Sequence, residues 1–413
     1  MIAADEIAFL RDLARQYAQV AADPIQDVRR DLWRRHNSLV RTRPLFICTG
    51  LFFWHEIGLY DGLKCTDPTL RLIEQDLKLR LYRSQLNDDW VFEPYVTMRP
   101  AFKAPPSHDY RWGAPIRHTG LTAEGGSFKF LPPLMDEGDI DKVIAYDHQI
   151  DEQATAEQVA KVQDAIGDII TVAPTRSPYY TGWFGDISTD VARLRGLEQI
   201  MWDMLDRPEW LHRLCGLMRD GVLRQHQQAE DAGDWRKIDA ANQALPYCQE
   251  LPDPVADGKP TPRKQLWVFM AAQEMAQVSP EMHDEFILQY QLPIMAKFGM
   301  VAYGCCEDLT KKIDMLRKVP NLRRISVTPW ADVAKCAEQI REDYVFSWRP
   351  SPAETICNGF VADKTRRIIR DGLAKSKGCH VDVTLKDVQT VGGDFQNLVK
   401  WARIARECCE EAS

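Results

Sequence analysis

The chain has 413 residues, 45% of them hydrophobic and 27% charged, with a formal net charge of −8. That length suits one large α/β barrel with insertions, and it buries enough core to fold without disulfides or a structural metal. The acidic balance argues against a nucleic-acid binder, which carries a basic face.

The first predicted element runs from Glu6 to about Ala22, where Ile7, Leu10, Leu13, Ala14 and Tyr17 fall at helical spacing. The opening stretch is charged throughout and lacks the apolar core of a signal peptide. The most apolar run, PLFICTGLFFW, is too short to span a bilayer. A cytoplasmic protein with no membrane contact is expected. Arg29, Arg30, Arg34, Arg35, His36, Arg41 and Arg43 form a basic cluster, read first as a solvated helix and turn and second as an anion or partner site.

PLFICTG (44–50) reads as a buried strand, and Leu70 to about Ser84 as a helix. The aromatic, Pro- and Gly-broken stretch that follows is expected to be a β-rich hairpin-and-loop insertion at about 88–165. Residues 1–43 then form an N-terminal helical extension, and 44–413 the barrel. DIITVAPT (168–175) is the next strand, followed by helices at about 188–206 and 208–230, with Pro208 suited to a first turn.

From KQLWVFMA onward, strands and helices alternate through GMVAYG, LRRISVTP, DYVFSWRP and HVDVTLKD to a last helix from about Phe395. Short connections of this kind imply parallel strands and right-handed crossovers. The pattern suits a (β/α)8 barrel better than an open sheet. There is no GxGxxG after a strand and no GxxxxGK[ST], so nucleotide-binding sheets lose their main support.

In a barrel the chemistry sits at the C-terminal strand ends. His55, Glu56, Glu274, the Tyr303–Glu307 group, Thr328, Trp330, Trp348, Arg349, Lys386 and Asp387 lie at such ends, whereas His380 starts its strand. The aromatics of SPYYTGWFGD either roof a pocket or pack.

The sharpest feature is VAYGCCEDL, residues 301–309. By strand alternation Tyr303 and Cys305 share one face and Cys306 the other, so one thiol reaches the mouth unless the backbone turns at Gly304. The thiols read as small buried hydrophobes, as a strained vicinal disulfide, or as ligands. Glu307 and Asp308 weaken a nucleophile, because negative charge raises a thiol pKa. A divalent cation would invert that effect, so the cluster resembles half a zinc site. Glu274 reads as a ligand, a general base or a local cap, and Arg349 as a carboxylate clamp or a structural ion pair. The eleven cysteines include no CxxC and are expected to be reduced.

TVAPTRSPYY followed by RGLEQIMWDMLDRPEWLHRLCGLM, with Asp206, Pro208, Glu209 and His212 in a D-x-P-E-x-x-H-like turn, resembles the uroporphyrinogen decarboxylase superfamily. The resemblance covers Pro44 to the C-terminus. It implies a distorted (β/α)8 TIM barrel, common homodimers and two chemistries: porphyrinogen decarboxylation, or zinc-dependent methyl transfer as in cobamide methyltransferases. The decarboxylases carry R-Q-A-G-R after the first strand, where this chain has GLFFWHEIG, so uroporphyrinogen is not the expected substrate. The methyltransferases carry an H-x-C zinc pair, which stands here as Tyr303-Gly304-Cys305.

The resemblance therefore implies an enzyme moving a methyl group between a small organic substrate or corrinoid and an acceptor. One zinc per chain would be held by Cys305 or Cys306 with Glu307 and Glu274. Arg349 would orient a carboxylate, and Tyr303 or Asp387 would move protons. The family's late cysteine has Cys379 as its nearest counterpart. A D-x-H-x-x-G corrinoid module is absent, so a corrinoid would arrive on a separate partner protein. The alternatives are a metal-free decarboxylase or lyase, and a non-catalytic ligand-binding barrel.

Overall fold

The computed structural model describes residues 4–120 and 128–413. Among the described residues eight strands pair in parallel: β1 (Leu45–Cys48), β2 (Tyr95–Met98), β3 (Thr171–Pro174), β4 (Trp267–Met270), β5 (Met300–Tyr303), β6 (Leu322–Val327), β7 (Val345–Trp348) and β8 (His380–Leu385). β4 to β8 lie side by side in chain order, and β1 adds beyond β8, giving one six-stranded sheet. β2 and β3 pair with each other as a separate two-stranded sheet.

The residues of β1, β4, β5, β7 and β8 are buried throughout. That is the signature of strands covered on both faces, and it explains why they read as continuous apolar runs and not as alternation. The buried Asp382 and Thr384 of β8 are polar exceptions, and they are satisfied. Asp382 accepts from Ser347 Oγ (2.9 Å) and Thr384 Oγ1 (2.8 Å), and pairs with Arg324 (2.9 Å) and with His36 at 3.2 Å. Burial works against its charge, but Arg324 and His36 win and hold the carboxyl below its usual range.

Helices follow the strands at Pro280–His283, Val333–Ile340, Ala362–Lys375 and Gln396–Glu411. Ser279 caps the first of these by accepting from Met282 N (3.2 Å), with Pro280 in the first turn. The long helix expected over 188–206 is broken into Ser188–Arg195 and Leu197–Asp206 by Gly196, whose φ is +91°.

Two expectations change. The 88–165 stretch holds β2 and the helix Glu152–Ile166, both part of the framework, as well as a short antiparallel hairpin, Arg117–His118 with Phe130–Leu131. Val96 and Met98 of β2 bury with Leu77, Val162 and Val172, and the N-terminal helix Ala4–Ala21 adds Leu10, Leu13 and Tyr17 to that same core. The basic cluster is largely neutralised: Arg30 pairs with Glu93, Arg34 with Asp253 and Arg43 with Asp89. Among the described residues no helix is long and apolar enough to cross a membrane.

Candidate active site

β5 delivers the thiols. At its end Gly304 turns the backbone with φ +100°, a conformation that favours glycine, and a Cβ there would sit 2.7 Å from Leu309 Cδ1. Ser326 Oγ donates to Gly304 O (2.7 Å). The Arg349 guanidinium donates to Cys305 O, to Ser326 Oγ (2.6 Å) and to Gln243 Oε1 (2.5 Å). Glu307 lies fully buried under the turn and accepts Cys305 N (2.8 Å) and Ala272 N (3.0 Å).

The turn places both sulfurs on the same side, 3.5 Å apart, and not on opposite faces as alternation predicts. Cys305 is buried against Phe269 and Ala271, while Cys306 is exposed. The end of β8 supplies the counter-charge. Lys386 Nζ lies 3.1 Å from Cys305 Sγ and 3.4 Å from Cys306 Sγ, and pairs with Asp387 at 2.8 Å. Asp387 itself has φ +59° and lies 3.8 Å from Cys306 Sγ.

These contacts decide the charge of the pair. A hydrogen bond from Cys306, with the positive charges of Arg349 and Lys386, outweighs burial and brings the Cys305 thiol down to about 6. At pH 7 that leaves the thiolate over the thiol by about ten to one. The same hydrogen bond, and then burial, raises the Cys306 thiol, so the pair shares one proton. Burial and Arg349 push Lys386 down, yet Cys305 and Asp387 leave it raised, as a firm ammonium.

Several predicted residues lie elsewhere. Tyr303 points into the protein, where its hydroxyl donates to Gln291 Oε1 (2.9 Å) and meets His283 Nε2 (2.9 Å). Burial, then Glu307, raises its phenol well above the ordinary range, so it is no proton carrier for the thiols. Glu274 accepts from Ser188 Oγ (2.9 Å), and burial raises its carboxyl. Arg349 has its terminal nitrogens committed to the loop and braces Cys305 instead of clamping a carboxylate. Cys379 starts β8's segment at the opposite end, with its thiol toward Ala337 O (3.7 Å). A cavity of about 560 Å³ at that same end, lined by Arg41, Lys377 and Cys379, holds none of the residues at the C-terminal strand ends.

Of the aromatics in SPYYTGWFGD, Tyr180 stacks on Trp112 (4.2 Å, 8°) and Tyr179 on Phe184. Trp183 is the exposed one of these aromatics, edge-on to Phe269 at 5.1 Å, and Phe269 in turn packs with Cys305.

The donor set is a poor match for zinc. Two sulfurs converge, but both oxygens of Glu307 take backbone N–H groups, Glu274 is bonded to Ser188, and a lysine ammonium contacts both thiols where a cation would sit. Catalytic zinc takes three protein ligands and structural zinc four. Among the described residues no three His, Cys, Asp or Glu side chains are grouped to hold a metal. The residues present do not fit a resident zinc. Lys386 was placed at a strand end by its sequence but given no role, and Gln243 was not singled out at all. Lys386 had a signal in its place at the far end of HVDVTLKD, whereas Gln243 had none.

No protein-family model matches the chain, and no curated protein matches it. Among solved structures it is similar in fold to a methyltransferase from Methanosarcina mazei, with a TM-score of 0.52 and 11% identity over 92% of this chain and 98% of that one.

Proposed function

We propose that this chain is a methyl-transferring enzyme on a (β/α)8 barrel opened along two seams, with Cys305 as general base and Lys386 as its electrostatic partner. The observation that carries the reading is the Cys305 Sγ–Lys386 Nζ contact of 3.1 Å at the C-terminal ends of β5 and β8. The fold likeness to a methyltransferase supports the choice of reaction, and the strand order supports the barrel, since β1 beside β8 is the neighbour relation a closed sheet requires.

The chemistry follows from the charge. A protic acceptor, R–SH or R–OH, gives its proton to the Cys305 thiolate, and the anion left behind is stabilised by the Lys386 ammonium. That anion attacks the methyl carbon of the donor in line. The new bond to methyl forms as the donor's C–X bond breaks and the electron pair leaves on X, and the proton held by Cys305 passes to X, or to solvent where X is a corrinoid. A thiol with a pKa about one unit below neutrality suits a group that must take and return a proton. Trp183 and Phe269 form an apolar flank beside the thiol for the donor. The donor is a small organic methyl compound or a methylated corrinoid brought by a partner protein.

A decarboxylase or lyase would need a free cationic clamp, and Arg349 is committed to Cys305, Ser326 and Gln243. Methyl transfer from a methylated corrinoid to a small thiol, followed by the corrinoid's spectrum, tests the proposal. Turnover that survives chelation and falls in Cys305→Ser supports it. One tightly held zinc per chain, lost with Cys305, would replace it with metal chemistry. Transfer that persists in Cys305→Ser would sink the role given to this thiol.

A further inference from the structure

We infer that Cys305 and Cys306 are a reversible dithiol–disulfide couple that exchanges with low-molecular-weight disulfides of the glutathione class. The couple stands on the geometry of two sulfurs and a lysine, and it holds whatever reaction the site performs.

Three observations meet at this loop. The sulfurs face each other at 3.5 Å, so a movement of about 1.5 Å brings them to the bonding distance of about 2.0 Å. The residue ahead of them is Gly304, already in a left-handed conformation, and Cys306 is exposed. Lys386 Nζ touches both sulfurs, so the pair's single negative charge rests on either one with the ammonium still in contact.

That last point sets the order of events. Cys305 is buried and Cys306 is the sulfur a dissolved disulfide meets. With the charge on Cys306, its thiolate attacks R′S–SR′, forms the mixed disulfide and releases R′S⁻. Cys305, now holding the pair's proton, loses it to the solvent or to the departing thiolate. Its sulfur then attacks Cys306 Sγ, closes the ring and expels the second R′S⁻. The two protein sulfurs lose two electrons and the external disulfide gains them, yielding one R′S⁻ and one R′SH. Closure removes the thiolate that Lys386 stabilises.

Neighbouring residues hold their Cα atoms about 3.8 Å apart, closer than the about 4.4–6.8 Å of ordinary disulfides. A bond made there is strained and readily reduced, which suits a switch and not a staple. The chain carries its own control in Cys408 and Cys409, another adjacent pair, buried in the last helix.

The test uses the full chain, incubated with glutathione disulfide in the absence of oxygen. Thiols are counted after denaturation, the intact mass is measured, and a digest maps the link. The expected result is a fall from the eleven free cysteines by two, a mass lower by two hydrogens, a Cys305–Cys306 linked peptide, and full reversal by dithiothreitol. Cys306→Ser should abolish the two-thiol loss, and Lys386→Met should slow it about tenfold by raising the attacking thiol's pKa. An unchanged thiol count, a reaction that stops at the glutathione adduct, or a link at Cys408–Cys409 would overturn the inference. Because these readouts count sulfur bonds, a failed methyl-transfer assay leaves them unaffected.

Discussion

The two Cys-Cys dipeptides of this chain show how little a thiol's chemistry depends on the thiol. Cys408 and Cys409 lie in the helix Gln396–Glu411, nearly without exposure, on successive positions that point about a quarter-turn apart. Burial raises both thiols, so they are inert packing atoms. Cys305 and Cys306 follow a strand through a glycine turn that aims both sulfurs at one lysine. There hydrogen bonding and positive charge defeat burial at Cys305, and one sulfur becomes a thiolate near neutrality. Backbone conformation and the nearest cation separate the two pairs.

The sharpest break in that comparison is Cys305→Ser. Its methyl-transfer rate should fall roughly 10²- to 10⁴-fold, as expected for a lost general base, while Cys409→Ala should stay within about twofold of wild type. Equal losses in the two variants would erase the distinction.

Next in size is the turn itself. Gly304→Ala places a Cβ against Leu309 in a left-handed conformation and should cost about 1–3 kcal/mol, read by urea denaturation. It should also let the sulfurs diverge, so that Cys305 titrates like an ordinary thiol. An unchanged stability would show that the turn is not held as described.

The charge makes a prediction in pH. The thiolate form grows as pH rises, so the thiolate absorbance that Cys305→Ser removes should reach its midpoint at about pH 6, and the rate should fall as pH drops through that value. Lys386→Met should move the midpoint upward toward the usual thiol value of about 8.5 and lower the rate at pH 7 by about tenfold. A wild-type curve still climbing at pH 9 would refute the lysine's role.

The smallest effect belongs to the helix pair. Cys409→Ala removes one buried sulfur and should cost roughly 1 kcal/mol in a denaturation curve with activity intact.

The strands β4, β5 and β7 were legible in the sequence as short apolar runs closed by turn residues, and β6 and β8, which carry polar residues, by their place in the strand–helix alternation. β2 was hidden, because Tyr95–Met98 is only four residues long inside an aromatic, proline-broken stretch whose composition reads as loop. The place of the thiols was legible too, as a strand end. Their partner was not, since Lys386 and Cys305 meet across 81 positions with no local pattern to announce it. Tyr303 was misplaced because alternation carries no information past a glycine turn, and Glu307 because a carboxylate beside thiols can serve backbone N–H groups instead of a metal.

The pairing of β1 with β8, reinforced by His36 and Asp382 across 346 positions, carries a consequence for biosynthesis. A ribosome delivers the chain from its N-terminus, and contacts of such long range form late. β1 and the thiol loop therefore emerge well before β8, the strand that brings Lys386. During that interval Cys305 lacks the Lys386 ammonium, one of the groups that lower its thiol, and is the less acidic for it.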